Sequence, residues 1–588
     1  MKFKSIIGIV LLCLISACVQ EQTEPQKPNA TELLHDLFDR ERQWYYAEYP
    51  GTGPSTEPRP VPDRMRAVSP TDQKRRMDAN LAFLAELDAI SKSELSDDDQ
   101  LNHDMFRFML NSRLTMAKHR TWRMPILSDS GFHTRPAISN RSIAFFNTGD
   151  YQTYFLALND IPRYIDENIE NMRTGIAEGF TMPKVVLDGL MPSFKALSEK
   201  RGETSDFYYP YKNMIADIQD DEREDLQKRA IAIIDDIVVP AYARLYDFML
   251  NEYYPAARDT LGASETSLGM PYYEDMVRYY TTIDISADEV HELGKREVAR
   301  IRAEMEDILN EVEFDGTLQE FFEFMRTDEQ FYAKTPEELI MIARDIAKRI
   351  DGKLPMLFKK LPRQPYTVVP VPATLAPNYT TGRYSGAPLT ALRGGEYWVN
   401  TYALDQRPLY NLPSLTLHEA VPGHHLQSAL SKELENVPEF RLGLYPHAYG
   451  EGWGLYSEKL GLDIDIYQTP YEQFGRLTYE MWRAGRLVID TGIHAKGWTR
   501  EQAIALFEEN SALSSLNIRT EVDRYISWPG QALAYKMGEL KFIELRERAK
   551  AELGNKFDLR TLHDQYMSQG GLPMYLLEER IDNWIKEQ

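Results

Sequence analysis

Apolar positions along this chain recur mostly with the period of an α-helix. Between residues 290 and 312, Val290, Leu293, Val298, Ile301, Met305, Ile308 and Val312 fall at near-helical spacing, while Lys, Arg and Glu fill the other faces. That pattern predicts an amphipathic helix packed on a core. Helix starts are signed repeatedly: "SADE" at Ser286–Glu289, "TPEE" at Thr335–Glu338 and "TREQ" at Thr499–Gln502 all fit the capping box. The pattern changes between Leu361 and Tyr402, where "YTVVPVP" and "EYWVNTY" are β-branched and aromatic. These predict short strands, and Pro370 and Pro372 confine the first to an edge or an irregular extended segment, because proline cannot donate to a ladder. From about Tyr410 onward the helical period returns. No fixed-period repeat is evident, which argues against a solenoid. The expected fold class is therefore mostly α, with a small β-sheet just ahead of the stretch 415–430.

The first twenty residues, "MKFKSIIGIVLLCLISACVQ", break the pattern in another way: Lys2 and Lys4 precede an apolar run from Ile6 to Ile15 and then small residues before Cys18. This reads as a secretory signal, and the run is about half of the ~20 residues that a bilayer-spanning helix needs. The ending "ISAC" resembles the lipobox of bacterial lipoproteins, which implies a signal over residues 1–17, lipidation of Cys18 and a polar linker over 18–30. A lipid at that end would tether the domain to a membrane. No linker-like break follows, so residues 31–588 are expected to form one large domain, or two lobes built from the same helical layers.

Composition narrows the chemistry. With 43% hydrophobic and 27% charged residues the chain is globular rather than disordered. Its net charge of −23, or −25 once the two lysines of the signal are removed, makes it a poor partner for nucleic acid. The acidic clusters "SDDDQ" (96–100) and "DDERED" (220–225) read as solvated helix starts. The only other cysteine, Cys13, lies within the signal. Disulfides and cysteine ligands are thereby excluded, and any metal site must use His, Asp and Glu.

Such a site is suggested by "LTLHEAVPGHHLQSAL" (415–430), which holds three of the 11 histidines beside a glutamate. In H-E-x-x-H, two histidines at i and i+4 share a zinc ion on one helix face, with the glutamate turned toward the attacking water. Here Pro422 occupies i+4, while His424 and His425 stand at i+6 and i+7. On a straight helix i+7 lies about 10 Å further along the axis and i+6 points elsewhere, so a regular helix cannot make the site. Pro422 removes a helical hydrogen bond and Gly423 tolerates unusual backbone conformations. The pair is expected to bulge the helix by two residues, so that His424 stands where i+4 normally stands; His425 is the alternative. A third ligand is expected from "HAYGEGWGLYSEKL" (447–460): Glu451, 27 residues after His424, as ligand, and Glu458 as the partner that orients a histidine, or else the ligand itself. Glycines at 450, 452 and 454 allow close helix packing.

Two later segments resemble substrate machinery. Arg486, Asp490 and His494 are spaced by fours, and Arg524, Tyr525 and Tyr535 surround a second Pro-Gly. Amide hydrolysis needs a donor for the developing oxyanion and a cation for a substrate carboxylate. Tyr535 or Tyr525 suits the first role and Arg524 the second, with His494 a further catalytic candidate. Arg486, Tyr397 and Asn400 are further candidates for binding substrate. The sheet that holds Tyr397 could offer its edge to an extended peptide.

Together, H-E-A-V-P-G-H-H, "EYWVNTY", E-G-W-G-L-Y-S-E, D-T-G-I-H and P-G-Q-A-x-x-Y-x-x-G resemble a bacterial family catalogued as a domain of unknown function. Its members are often lipoproteins and are presumed to be zinc-dependent peptidases. More distantly, the order of motifs is similar to thimet oligopeptidase, neurolysin and the Taq-type carboxypeptidases, which are mostly helical with a deep channel for short peptides. The resemblance implies one zinc ion held by His418, His424 and Glu451, with Glu419 as general base and Tyr535 as oxyanion donor. Pro422 departs from those distant relatives, which carry histidine there. The reading that follows is a zinc metallopeptidase for short peptides, exported and lipid-anchored facing the periplasm, at the outer membrane. Two others compete with it: a non-catalytic peptide-binding lipoprotein with a degenerate metal site, and a zinc amidohydrolase acting on a small molecule.

Overall fold

The computed structural model describes residues 28–588 except 56, 374, 375, 377, 378 and 390–392. The signal, Cys18 and most of the expected linker lie outside the described residues. The architecture is predominantly α-helical with one three-stranded sheet. Among the described residues no helix is long and apolar enough to cross a membrane.

The expected amphipathic helix spans Ala287–Glu311, and its Ser286 cap and Glu289 form the reciprocal box. The box at Thr499 also closes. At Thr335 only half of it forms: the threonine accepts from Glu338 N, while the Glu338 carboxylate accepts from Lys334 N instead. Both acidic clusters begin helices, Asp97–Lys118 and Asp220–Ile233. There the carboxylates meet the partial positive charge of exposed amides.

The sheet comprises β1 (Tyr366–Pro370), β2 (Gly382–Ser385) and β3 (Gly395–Val399), in the order β1-β3-β2. β1 runs parallel to β3, and β2 antiparallel to it. Pro370 thus lies on an edge strand, as its missing N–H requires. The polar "GRYS" of β2 carries no strand signal of its own; pairing with β3 makes it a strand.

One helix, Pro470–Lys496, organises the interior. Every residue from 474 to 494 is buried except Trp482, which is half-buried. The helix contributes to each main hydrophobic cluster: Tyr479 to the one holding the sheet and C-terminal helices, Ile489 and Ile493 to the one built on residues 126–257, Leu477 and Met481 to a third, and Leu487 to a fourth. A helix buried on every side is normally apolar all round. This one carries Arg476, Glu480, Arg483, Arg486, Asp490 and His494, and each has a partner. Lys536, fully buried, lies among Glu480, Glu539 and Glu297 at 2.8, 2.6 and 3.2 Å. Such pairing is what allows charge to be desolvated.

Helix His447–Asp463 crosses helix Ala534–Leu553 at a pair of glycines. A Cβ on Gly452 would come within 2.4 Å of Gly538 Cα, and one on Gly538 within 1.9 Å of the Ala448 carbonyl oxygen. The backbones touch because neither residue has a side chain. Gly538→Ala should therefore force the helices apart and destabilise the protein by about 1–3 kcal/mol, as overpacking does. A lowered midpoint in thermal denaturation checks this, and an unchanged midpoint would contradict the close crossing.

Candidate metal centre

The "HEAVPGHH" segment does not form one bulged helix. Helix Leu412–Glu419 stops, residues 420–423 leave helical geometry, and a new helix, His424–Lys432, begins. Gly423 N–H donates to Leu417 O at 3.0 Å and His425 N–H to Ala420 O at 3.0 Å, which closes the gap without a continuous helical ladder. The Gly423 backbone packs so tightly that a Cβ would lie 1.9 Å from the His418 carbonyl oxygen. The carbonyl of Pro422, freed by the break, accepts from the indole N–H of the buried Trp453 at 2.8 Å. The expectation of a two-residue bulge is thus corrected to a break, with the same consequence for the first ring: His424 comes to face His418.

The two imidazoles stand perpendicular, with centroids 4.8 Å apart. From helix His447–Asp463, Glu451 Oε2 lies 3.6 Å from His424 Nε2 and 3.9 Å from His418 Nε2. One donor atom from each residue lies within 4.8 Å of the others. A tetrahedral zinc with bonds of ~2.0–2.1 Å separates its donors by roughly 3.3 Å. The set therefore fits such an ion after small rotamer shifts, and two imidazoles with a carboxylate suit zinc chemically. His425 is turned away: Nε2 pairs with Gln364 O at 3.0 Å and Nδ1 with the Tyr384 hydroxyl at 3.1 Å.

Glu458, two turns beyond Glu451, meets His418 Nδ1 at 2.8 Å. The arrangement points His418 Nε2 at the other donors and fixes the tautomer a metal requires. Room for this ring exists because residue 454 is glycine; a Cβ there would lie 2.7 Å from His418 Nε2. Arg483 of the central helix lies 3.4 Å from Glu458. Burial pushes the Glu458 carboxyl up to about 7 even so.

The remaining electrostatics follow from close packing. Burial, joined by the charge of His424, brings His418 down to about 3. For Glu451 burial acts upward, but the facing His424 outweighs it and holds the carboxyl well below the usual range; His424 itself is raised in return. Glu419 ends the first motif helix, half-buried, and its carboxylate accepts the backbone N–H of Tyr384 on β2 at 2.8 Å.

The other expected residues divide. Tyr535 and Arg524 stand together, with 3.4 Å between the hydroxyl and Nη2. Arg524 also contributes to keeping Glu451 ionised. Arg486 is buried and stacks on the Tyr535 ring at 4.3 Å. Four expectations are corrected because the protein itself occupies the polar atoms. Both ring nitrogens of His494 are taken by backbone, Ala263 N at 3.0 Å and Tyr525 O at 2.9 Å. The Tyr525 hydroxyl receives Trp482 and Arg486 at 3.0 and 2.9 Å and donates to Glu521 at 2.8 Å. Tyr397 is fully buried beneath the first motif helix, with Thr416 3.4 Å from its hydroxyl. The Asn400 amide braces the carbonyls of Ala376, Tyr379 and Thr380 at 2.9, 3.0 and 3.1 Å. Asp490 likewise holds the second Pro-Gly turn, accepting from Gly530 N–H and from Tyr273.

Sequence reasoning missed Tyr445. Its ring lies across Gly450, where a Cβ would come within 2.3 Å of it, and its hydroxyl stands 3.2 Å from Glu451 Oε1. The only local signal was a tyrosine facing a glycine one residue before the third donor.

Residues 47–581 match a family described as bacterial protein of unknown function, DUF885. The chain belongs to this family. Within it, the motif, the break and the donor triad described above all fall inside the matched span. Among solved structures, "the putative lipoprotein from Colwellia psychrerythraea" is 26% identical and superposes with a TM-score of 0.87, covering 95% of this chain and 100% of that one. "A putative lipoprotein of unknown function from Shewanella oneidensis", 18% identical, shares the fold with a TM-score of 0.70 over 94% of this chain and 99% of its own. No curated protein matches the chain.

From the donor set alone, we propose that the triad holds one zinc ion. His418→Ala, His424→Ala and Glu451→Ala should each lose it, whereas His425→Ala should keep it. Glu458→Gln should weaken binding by about 10- to 100-fold, as loss of a ligand-orienting partner does. Because the metal takes neutral imidazole and His424 is raised, proton competition should set in at a higher pH than for an ordinary histidine, and affinity should fall as the pH is lowered. Metal analysis of the folded variants and zinc titration across pH check these outcomes.

Proposed function

We propose that this protein is a zinc-dependent hydrolase of short peptides. The observation that carries the reading is the convergence of His418, His424 and Glu451 beside Glu419, whose carboxylate is aligned by a backbone N–H of an edge strand. Zinc held by those donors would supply a Lewis acid for the scissile carbonyl and a more acidic water. Glu419 takes the proton of the attacking water and later passes it to the leaving nitrogen. The Tyr445 hydroxyl, 3.2 Å from Glu451 Oε1, can steady the oxyanion, and Tyr535, which acts on that hydroxyl, is the second candidate. β2 is an edge strand beside Glu419, so an extended peptide laid along it gains backbone hydrogen bonds close to the reacting groups.

The reading includes export and attachment through Cys18, with the domain facing the periplasm. The lipobox-like sequence supports it, as does the description of the two structural neighbours as lipoproteins.

Glu419→Gln separates this function from mere metal binding. Zinc content should stay near one per chain, while kcat on a mixed library of short peptides should drop by at least about 10²-fold, the usual contribution of a general base. Mass spectrometry of the digests checks it. A zinc-loaded wild type that cleaves no peptide would refute the proposal.

A further inference from the structure

The central helix is buried along its whole inner length except at Trp482. Beside that residue it carries two buried cations. The guanidinium groups of Arg483 and Arg486 lie 4.6 and 4.7 Å from the Trp482 ring. Arg483 pairs with Glu458 and with the carbonyl of Tyr479, and its Nε has no partner among the described residues. Arg486 is likewise only partly committed. Its Nε donates to Tyr525 and its Nη2 to Glu521, both at 2.9 Å, but among the described residues its buried Nη1 has no partner. Arg486 is 2% exposed, and a charged donor left unpaired at that depth is unfavourable unless a ligand completes it.

Arg524 approaches the same place from helix Ser515–Ser527. Its Nη2 meets Gln531 at 2.7 Å and the Tyr535 hydroxyl at 3.4 Å, while Nη1 stands 3.6 Å from Glu521. Arg486 covers the face of the same tyrosine. Among the described residues Glu521 is the one carboxylate in an ion pair with both arginines, which sets two cations against one paired anion. Tyr535 links this cluster to the metal centre, since it stands close enough to Tyr445, at Glu451, to act on that hydroxyl.

We propose that Arg486 and Arg524, meeting at Tyr535, bind a carboxylate of the peptide substrate and so select peptides that carry one near the scissile bond. The inference rests on the hydrolase reading above and extends it to substrate class. Arginine suits the role because its planar fork matches a carboxylate with two parallel hydrogen bonds. A peptide offers such a group in two ways, as its C-terminus or as an acidic side chain. A C-terminal carboxylate held there would make the protein act near chain ends.

The test reads binding without turnover. In a Glu419→Gln background, zinc-loaded and zinc-free, calorimetry is run with trialanine as the free acid, trialanine amide and Ala-Glu-Ala amide. The free acid, or the Glu-containing amide, should bind at least about tenfold more tightly than the neutral amide, as a charge-assisted hydrogen bond pair implies. Whichever of the two binds tightly names the source of the carboxylate. Adding Arg524→Gln should abolish the difference. Arg486→Lys, which keeps the charge but loses the fork, should reduce it and guards against a misfolded first variant. Equal binding of all three peptides, no binding of any, or a preference that survives Arg524→Gln would overturn the proposal. A protein that selects the carboxylate yet cleaves nothing in its wild-type form would retain this pocket and refute the hydrolase reading instead.

Discussion

The candidate site depends on one contact, the 2.8 Å hydrogen bond between His418 and Glu458. Both side chains are enclosed, so neither is held by solvent, and each is oriented by what it touches. Gly454 leaves the slot for the imidazole, and Arg483 faces the carboxylate from the central helix. Through that arginine the candidate metal centre is tied to the helix that joins all four hydrophobic clusters. The geometry of the donors is therefore set by the core and not by a flexible loop, which is the arrangement a pre-organised site requires.

The same logic governs the break in the motif. Interrupting a buried helix exposes backbone groups that must find other partners. Here Trp453 satisfies the Pro422 carbonyl, and Trp453 lies on the helix that also carries Glu451 and Glu458. One helix thus repairs the break, supplies the third donor and orients the first. Removing the side chains at 450, 452 and 454 lets that helix approach Tyr445, Gly538 and His418 in turn.

Burial of charge also explains which expected residues proved to be structural. His494, Asp490 and Tyr525 are spaced or placed as functional groups would be, yet each closes a hydrogen bond between helices. In a helical interior this large, polar side chains are spent satisfying one another and the backbone at turns such as Pro529–Gly530. Arg486 differs in that its buried Nη1 has no partner among the described residues.

Local rules made much of this legible in the sequence. Apolar periodicity gave the helices, Ser286 and Thr499 their starts, and Pro370 its edge strand, because these depend on backbone geometry within a few residues. Histidine and glutamate spacing likewise pointed to His418, His424 and Glu451, which the fold brings within 4.8 Å of one another, and to Glu458 as a partner for a histidine. The tertiary structure alone decided that the motif breaks instead of bulging, that His424 and not His425 faces His418, that "GRYS" becomes a strand, and that Tyr445 reaches Glu451. Each of these turns on contacts between residues distant in sequence, where a neighbour such as Trp453, Tyr384 or β3 supplies the hydrogen bond or the space, and no local pattern encodes the position of that neighbour.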